Sequence, residues 1–152
     1  MSDQIDPLAI PAGDLKEPTF PVLKEGLYRL EVRAFDLVEG DKPDAKRISI
    51  KLALTADGKF QDGGPAHKGF AFSVPIFITP GENRTATQVA EQVAMPIKAA
   101  LGPKTRVMAK DCLQDKSLIV GKVLDAQVGI REGKGEYKDT FSNNIKKWII
   151  PN

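Results

Sequence analysis

The sequence predicts a mainly β domain, a small five-stranded barrel with one helix between its third and fourth strands. Three observations predict it. Apolar residues alternate with period two in several segments, only one segment carries a helical stripe, and no β–α–β alternation builds a doubly wound sheet. The 152 residues suit a single domain, and a hydrophobic fraction of 41% is enough for a core.

Residues 1–26 are expected to be a proline-rich arm, because Pro7, Pro11, Pro18 and Pro21 block helix and sheet pairing. Leu8, Ile10 and Phe20 are its candidate apolar anchors, and residues 27–152 form the domain proper. In LYRLEVRAFDLV, Tyr28, Leu30, Val32 and Ala34 fall on one side. Leu27, Arg29, Glu31, Arg33 and Phe35 fall on the other, as in a half-buried strand. A second strand puts Ile48, Ile50, Leu52 and Leu54 on one face, and Asp57-Gly58 marks a turn. FAFSVPIFITP is a third, with Pro75 marking an edge, a bulge or a break.

The helix is expected over residues 85–101. Thr85 and Gln88 have capping-box spacing, Val89, Val93, Ile97 and Leu101 make the stripe, and Gly102-Pro103 ends it. Pro96 is expected to kink or divide it. SLIVGKVLDAQVGI and NIKKWII supply the later strands, joined by a glycine-rich hairpin in REGKGEYKDTF. A helix between the third and fourth strands is the order of an oligonucleotide-binding (OB) barrel, where it plugs one open end. A β-sandwich with an incidental helix also fits the strand count.

Composition excludes several classes. The net charge is only +2, which rules out a histone-like chain and an acidic disordered one. The single cysteine, Cys112, cannot form an internal disulfide or a thiolate cage. No apolar run approaches membrane-spanning length, and the first 26 residues do not read as a signal peptide, so a soluble protein of a reducing interior is expected. The one histidine, His67, sits in a glycine-rich loop. Neither phosphate-loop, dinucleotide, zinc-protease nor calcium-loop spacing occurs. No enzyme activity, cofactor or metal is expected.

Two signals are positive. Residues 1–97 hold 11 Lys+Arg against 14 Asp+Glu, a balance of −3, whereas residues 98–152 hold 11 against 6, a balance of +5. Basic and aromatic residues also interleave, as single-stranded nucleic acid requires: cations neutralise phosphates, and ring faces stack on bases without reading them. Phe72 and Phe77 read as core, and Trp148 as either core or contact. Phe35 shares the face of Arg33, and Tyr137 and Phe141 flank the polar hairpin. The candidate nucleic-acid-binding residues are Arg33, Phe35, Lys51, Lys59, Lys68, Tyr137, Lys138 and Lys147.

Gly26 with Tyr28, Leu101-Gly102, Gly121-Lys122, and Asn143-Asn144 before Ile145 carry a further pattern over residues 24–151. It resembles phage-encoded single-stranded DNA-binding proteins with an OB fold, and a related group of uncharacterised phage proteins found beside replication and recombination genes. The resemblance implies binding and protection of single-stranded DNA during phage replication or recombination, largely independent of sequence. It also implies a site in the cytoplasm of the infected bacterial host and contact with replication or recombination proteins. The acidic tail common in replication single-strand-binding proteins has no match in KKWIIPN, which leaves recruitment through such a tail unsupported. Two other readings stay open: a viral structural or protein-interaction module that self-associates through its arm or sheet edges, and an RNA-binding module.

Overall fold

The computed structural model describes residues 6–14, 21–42, 45–81, 84–133 and 140–152. The strands are β1 (Gly26–Val38), β2 (Arg47–Leu54), β3 (Gly58–Lys59), β4 (Pro65–Ala66), β5 (Ala71–Phe77), β6 (Val123–Glu132) and β7 (Phe141–Ile149). The helices are α1 (Ala86–Leu101) and α2 (Ala109–Gln114). Five strands form one antiparallel sheet in the order β5-β2-β1-β6-β7, and β3 and β4 make a separate small ribbon.

The expected closed OB barrel is not what forms. The architecture is a mixed α/β fold whose five-stranded sheet stays open, with β5 and β7 as its two edges. Local chemistry explains why these edges do not pair. Leu54 N–H donates to the Phe70 carbonyl and Ile78 N–H to that of Lys46, so the even-numbered residues of β2 bond towards β5. Residues 73, 75 and 77 of β5 therefore direct their backbone groups away from β2, towards the free edge. At the middle of that edge stands Pro75, which has no N–H to give. On β7 the register shifts opposite Gln127 and Val128, whose partners are Lys147 and Ile145, leaving Lys146 as an extra residue. Neither edge offers an unbroken ladder.

A second bulge corrects the reading of β1. Its pairing with β2 shifts between Val32 and Ala34, so Arg33 is the inserted residue. Side-chain phase reverses there. Tyr28, Leu30 and Val32 point inward before the bulge, and Phe35, not Ala34, points inward after it. Phe35 is fully buried beside Ile50.

The core lies between the inner sheet face and the helices. Leu30, Val32, Phe35, Ile48, Ile50, Leu52, Val74, Leu124 and Val128 meet Val89, Val93 and Ile97 of α1. The Thr85 capping box and the Gly102 terminus form as expected, with φ at Gly102 of 102°. The helix is not divided, however: α1 runs unbroken through the buried Pro96. Helix α2, which carries buried Cys112, was not expected.

The arm joins the core through a different anchor. Leu8 is 96% exposed, whereas Leu23 is fully buried. Leu23 bridges to Phe60, and Asn143 of β7 grips its backbone on both sides. Phe20 lies outside the described residues. Among the described residues, no helix is long and apolar enough to cross a membrane.

Candidate nucleic-acid interface

The open seam between β5 and β7 carries two concave features. Alternate antiparallel pairing across the sheet makes these two edges run in the same sense. From Phe72 to Phe77 the seam is roughly 17 Å long, from the rise per residue of a strand. A cleft occupies each end.

At the first end, a cleft of about 360 Å³ lies between Phe70, Phe72 and Ser73 on one side and Phe141, Ser142 and Asn143 on the other. Phe141 is 46% exposed there. At the second end, a cleft of about 340 Å³ is lined by Phe77, Arg84, Gln92, Arg131, Asn144 and Trp148, among others. Phe77, expected in the core, is 43% exposed. Its partner across β2 is Arg47, so the odd-numbered side of β5 carries it to the outer face.

Arg84 is held in place at this second cleft. Its guanidinium donates to the Phe77 carbonyl at 2.7 Å and to Oε1 of Gln92, about two helical turns along α1. It has no carboxylate partner among the described residues, and neither has Arg131. Glu91 lines a neighbouring depression with Arg84 but forms no ion pair with it. Other cations are already committed. Arg29 pairs with Asp125 at 3.0 Å, Lys116 with Asp36 at 3.1 Å, and Lys146 with Glu25 at 3.0 Å. The hydrogen bond from Arg29 holds the Asp125 carboxyl below its ordinary range, and Asp125 in turn raises the guanidinium.

No protein-family model matches this chain, and comparisons with curated proteins and with solved structures find no match.

The residues singled out from the sequence are dispersed. Lys51 is exposed on the outer face of β2 opposite Ala34, and Arg33 sits in the adjoining bulge, where it pairs with Glu31 at 2.7 Å. Lys147 is exposed on the same face, but its partner Gln127 faces Leu27, seven residues earlier on β1. That separates Lys147 from Lys51 by roughly 20 Å. Lys59 and Lys68 are exposed in and after the small β3–β4 ribbon. The Lys59 carbonyl accepts from Lys24 N–H, and Lys68 N–H donates to Asp57. Phe35 is withdrawn as a stacking platform, because the Arg33 bulge turns it into the core. Tyr137 and Lys138 lie outside the described residues.

Sequence reasoning missed Arg84, Arg131 and Gln92. Arg84 stands just before the capped start of α1 with no aromatic neighbour in the chain, so interleaving did not reveal it. Cys112 is buried elsewhere with its thiol pushed up by burial, and among the described residues no group of three His, Cys, Asp or Glu could hold a metal ion.

Proposed function

We propose that this chain binds single-stranded DNA along the β5–β7 seam, without catalysis and with little sequence preference. One observation carries the reading. Along the seam stand the exposed rings of Phe141 and Phe77, the half-buried Phe72 and Trp148, and two arginines that pair with no carboxylate among the described residues. Rings supply stacking worth about 1–3 kcal/mol per base, and the arginines supply phosphate neutralisation. A seam of this length suits about four nucleotides, the low end of single-strand site sizes. Lys51, Arg47 and Lys147 on the outer face extend the positive surface beside it. The resemblance to phage single-stranded DNA-binding proteins supports a role in phage replication or recombination, within the cytoplasm of the infected host and alongside proteins of those processes.

Binding of labelled oligo-dT and of matched duplex across a salt series tests this. Tighter binding of the single strand is expected. Log affinity should fall linearly against log salt, with a slope of about −0.7 for each phosphate neutralised. Phe141→Ala should weaken oligo-dT binding by about tenfold. Equal affinity for duplex, or indifference to Phe141→Ala, would sink the proposal. RNA oligomers in competition decide between the two nucleic acids.

The unpaired edges themselves favour a second reading, in which an extended peptide enters the seam as an added strand. Such a partner, or a second copy of this chain joined edge to edge, would be insensitive to oligo-dT and to salt.

A further inference from the structure

We propose that the end of the seam beside α1 is a nucleotide-anchoring site, in which Arg84 and Arg131 hold one phosphate and the attached base stacks on Phe77. The proposal rests on the single-strand reading and adds a polarity to the seam. Its two ends differ in chemistry. The end at Phe141 is lined by rings, hydroxyls and the Asn143 amide, with no cation among the described residues that line it. The end at Arg84 carries both arginines. A strand lying in the seam is therefore gripped by the two arginines at the Arg84 end.

The site has the features that anion recognition needs. Arg84 is pre-positioned by Gln92 and the Phe77 carbonyl, so little side-chain freedom is lost when a phosphate binds. These two bonds leave further guanidinium N–H groups available, since arginine has five. Arg131 is exposed and lines the opposite wall from β6. Gln92 adds an amide for the edge of a base. Asn144 Oδ1 is buried with no hydrogen-bond partner, and it lies against Gly129, 2.7 Å from where a Cβ there would stand. At about 340 Å³ the cleft falls within the size range of small-ligand sites.

Trp148 lines the same cleft and is the only tryptophan in the chain, so its fluorescence reports occupancy. The probes are thymidine monophosphate, thymidine and inorganic phosphate. The monophosphate should change Trp148 emission saturably, phosphate should compete with it, and thymidine should bind roughly tenfold more weakly or worse. Arg131→Gln should weaken the monophosphate by a similar factor, and Arg84→Gln should do the same. The Arg131 side chain makes no hydrogen bond or ion pair among the described residues, so its variant stays informative if Arg84→Gln fails to fold. Thymidine binding as tightly as its monophosphate, an unchanged Arg131→Gln variant, or no saturable response would overturn the proposal. Oligo-dT binding without monophosphate binding would remove the anchor and leave the single-strand reading standing. Loss of both would remove both.

Discussion

Replacing Asn143 with aspartate changes almost no volume, yet it should be among the most damaging single substitutions in this chain. Asn143 is 8% exposed and makes three hydrogen bonds. Its Oδ1 accepts from Leu23 N–H at 2.9 Å, and its Nδ2 donates to the carbonyls of Leu23 at 3.1 Å and Gly129 at 3.2 Å. An aspartate keeps the first and loses both donations, leaving two buried carbonyls facing a carboxylate oxygen. Each such loss is worth about 1–3 kcal/mol, so the deficit should be about 3–5 kcal/mol. That is a large share of a typical domain stability of about 5–15 kcal/mol. The deficit should also depend on pH. Burial and the two carbonyls favour the protonated acid, so the introduced carboxyl has a folded-state pKa above its unfolded value of about 3.9. A group shifted in that direction binds protons more tightly when folded. The gap to wild type is therefore full at neutral pH and narrows as pH falls through the folded-state pKa. Urea unfolding of both proteins between mildly acidic and neutral pH measures it. A neutral-pH deficit under about 1 kcal/mol, or a gap that widens on acidification, would refute the role given to Asn143.

Two other perturbations separate stability from binding. Phe35→Ala removes a fully buried ring and should cost about 3–5 kcal/mol in urea unfolding, while oligo-dT affinity of the folded variant stays at the wild-type level. An affinity loss in a variant of intact fold would return Phe35 to the binding surface. Asp125, its carboxyl held low by Arg29, stabilises the fold above its unfolded pKa, and that contribution is lost as pH falls through the folded value. Asp125→Asn should therefore flatten the acid limb of the stability–pH curve; an identical limb would show that the exposed pair contributes nothing.

Local signals in the sequence carried the elements, and long-range register decided the site. The α1 helix was legible because its cap, stripe and glycine stop agree with one another. Strand β1 was legible as a strand, but its faces were not. A bulge at Arg33 leaves no mark in an alternation that simply continues through Ala34, and one inserted residue moves Phe35 from outside to inside. Helix α2 escaped notice because six residues cannot display a stripe, and its capping contact, from Met108 N–H to Asp111, needs the fold to form. Leu8 and Leu23 are equally apolar in the chain. Long-range contacts, with Asn143 120 residues away and with Phe60, make Leu23 the anchor. Arg84 and Arg131 likewise line one cleft from 47 positions apart in sequence, through pairings that no local pattern encodes.

The open seam and the proposed function have a common physical origin, which amide exchange along β5 can examine directly. A closed barrel would protect every β5 amide, because both sides of the strand would be paired. In an open sheet the amides of Val74 and Ile76 bond into β2, while those of Ser73 and Phe77 point into the seam. Exchange should therefore alternate, slow at Val74 and Ile76 and fast at Ser73 and Phe77, with no amide at Pro75 to report. Bound oligo-dT should slow Ser73 and Phe77 and leave Val74 and Ile76 unchanged. Closing the seam would gain only about 0.5–1.5 kcal/mol net for each bond made. Pro75 removes one of those bonds, and the Lys146 bulge disturbs the ladder on the facing edge. The remaining gain competes with covering Phe77 and Phe141 by stacked bases, at about 1–3 kcal/mol each. On those magnitudes a nucleic acid strand, not a hydrogen-bonded closure, is the favoured occupant. Uniform protection along β5 in the unbound protein would refute both the openness and the groove that depends on it.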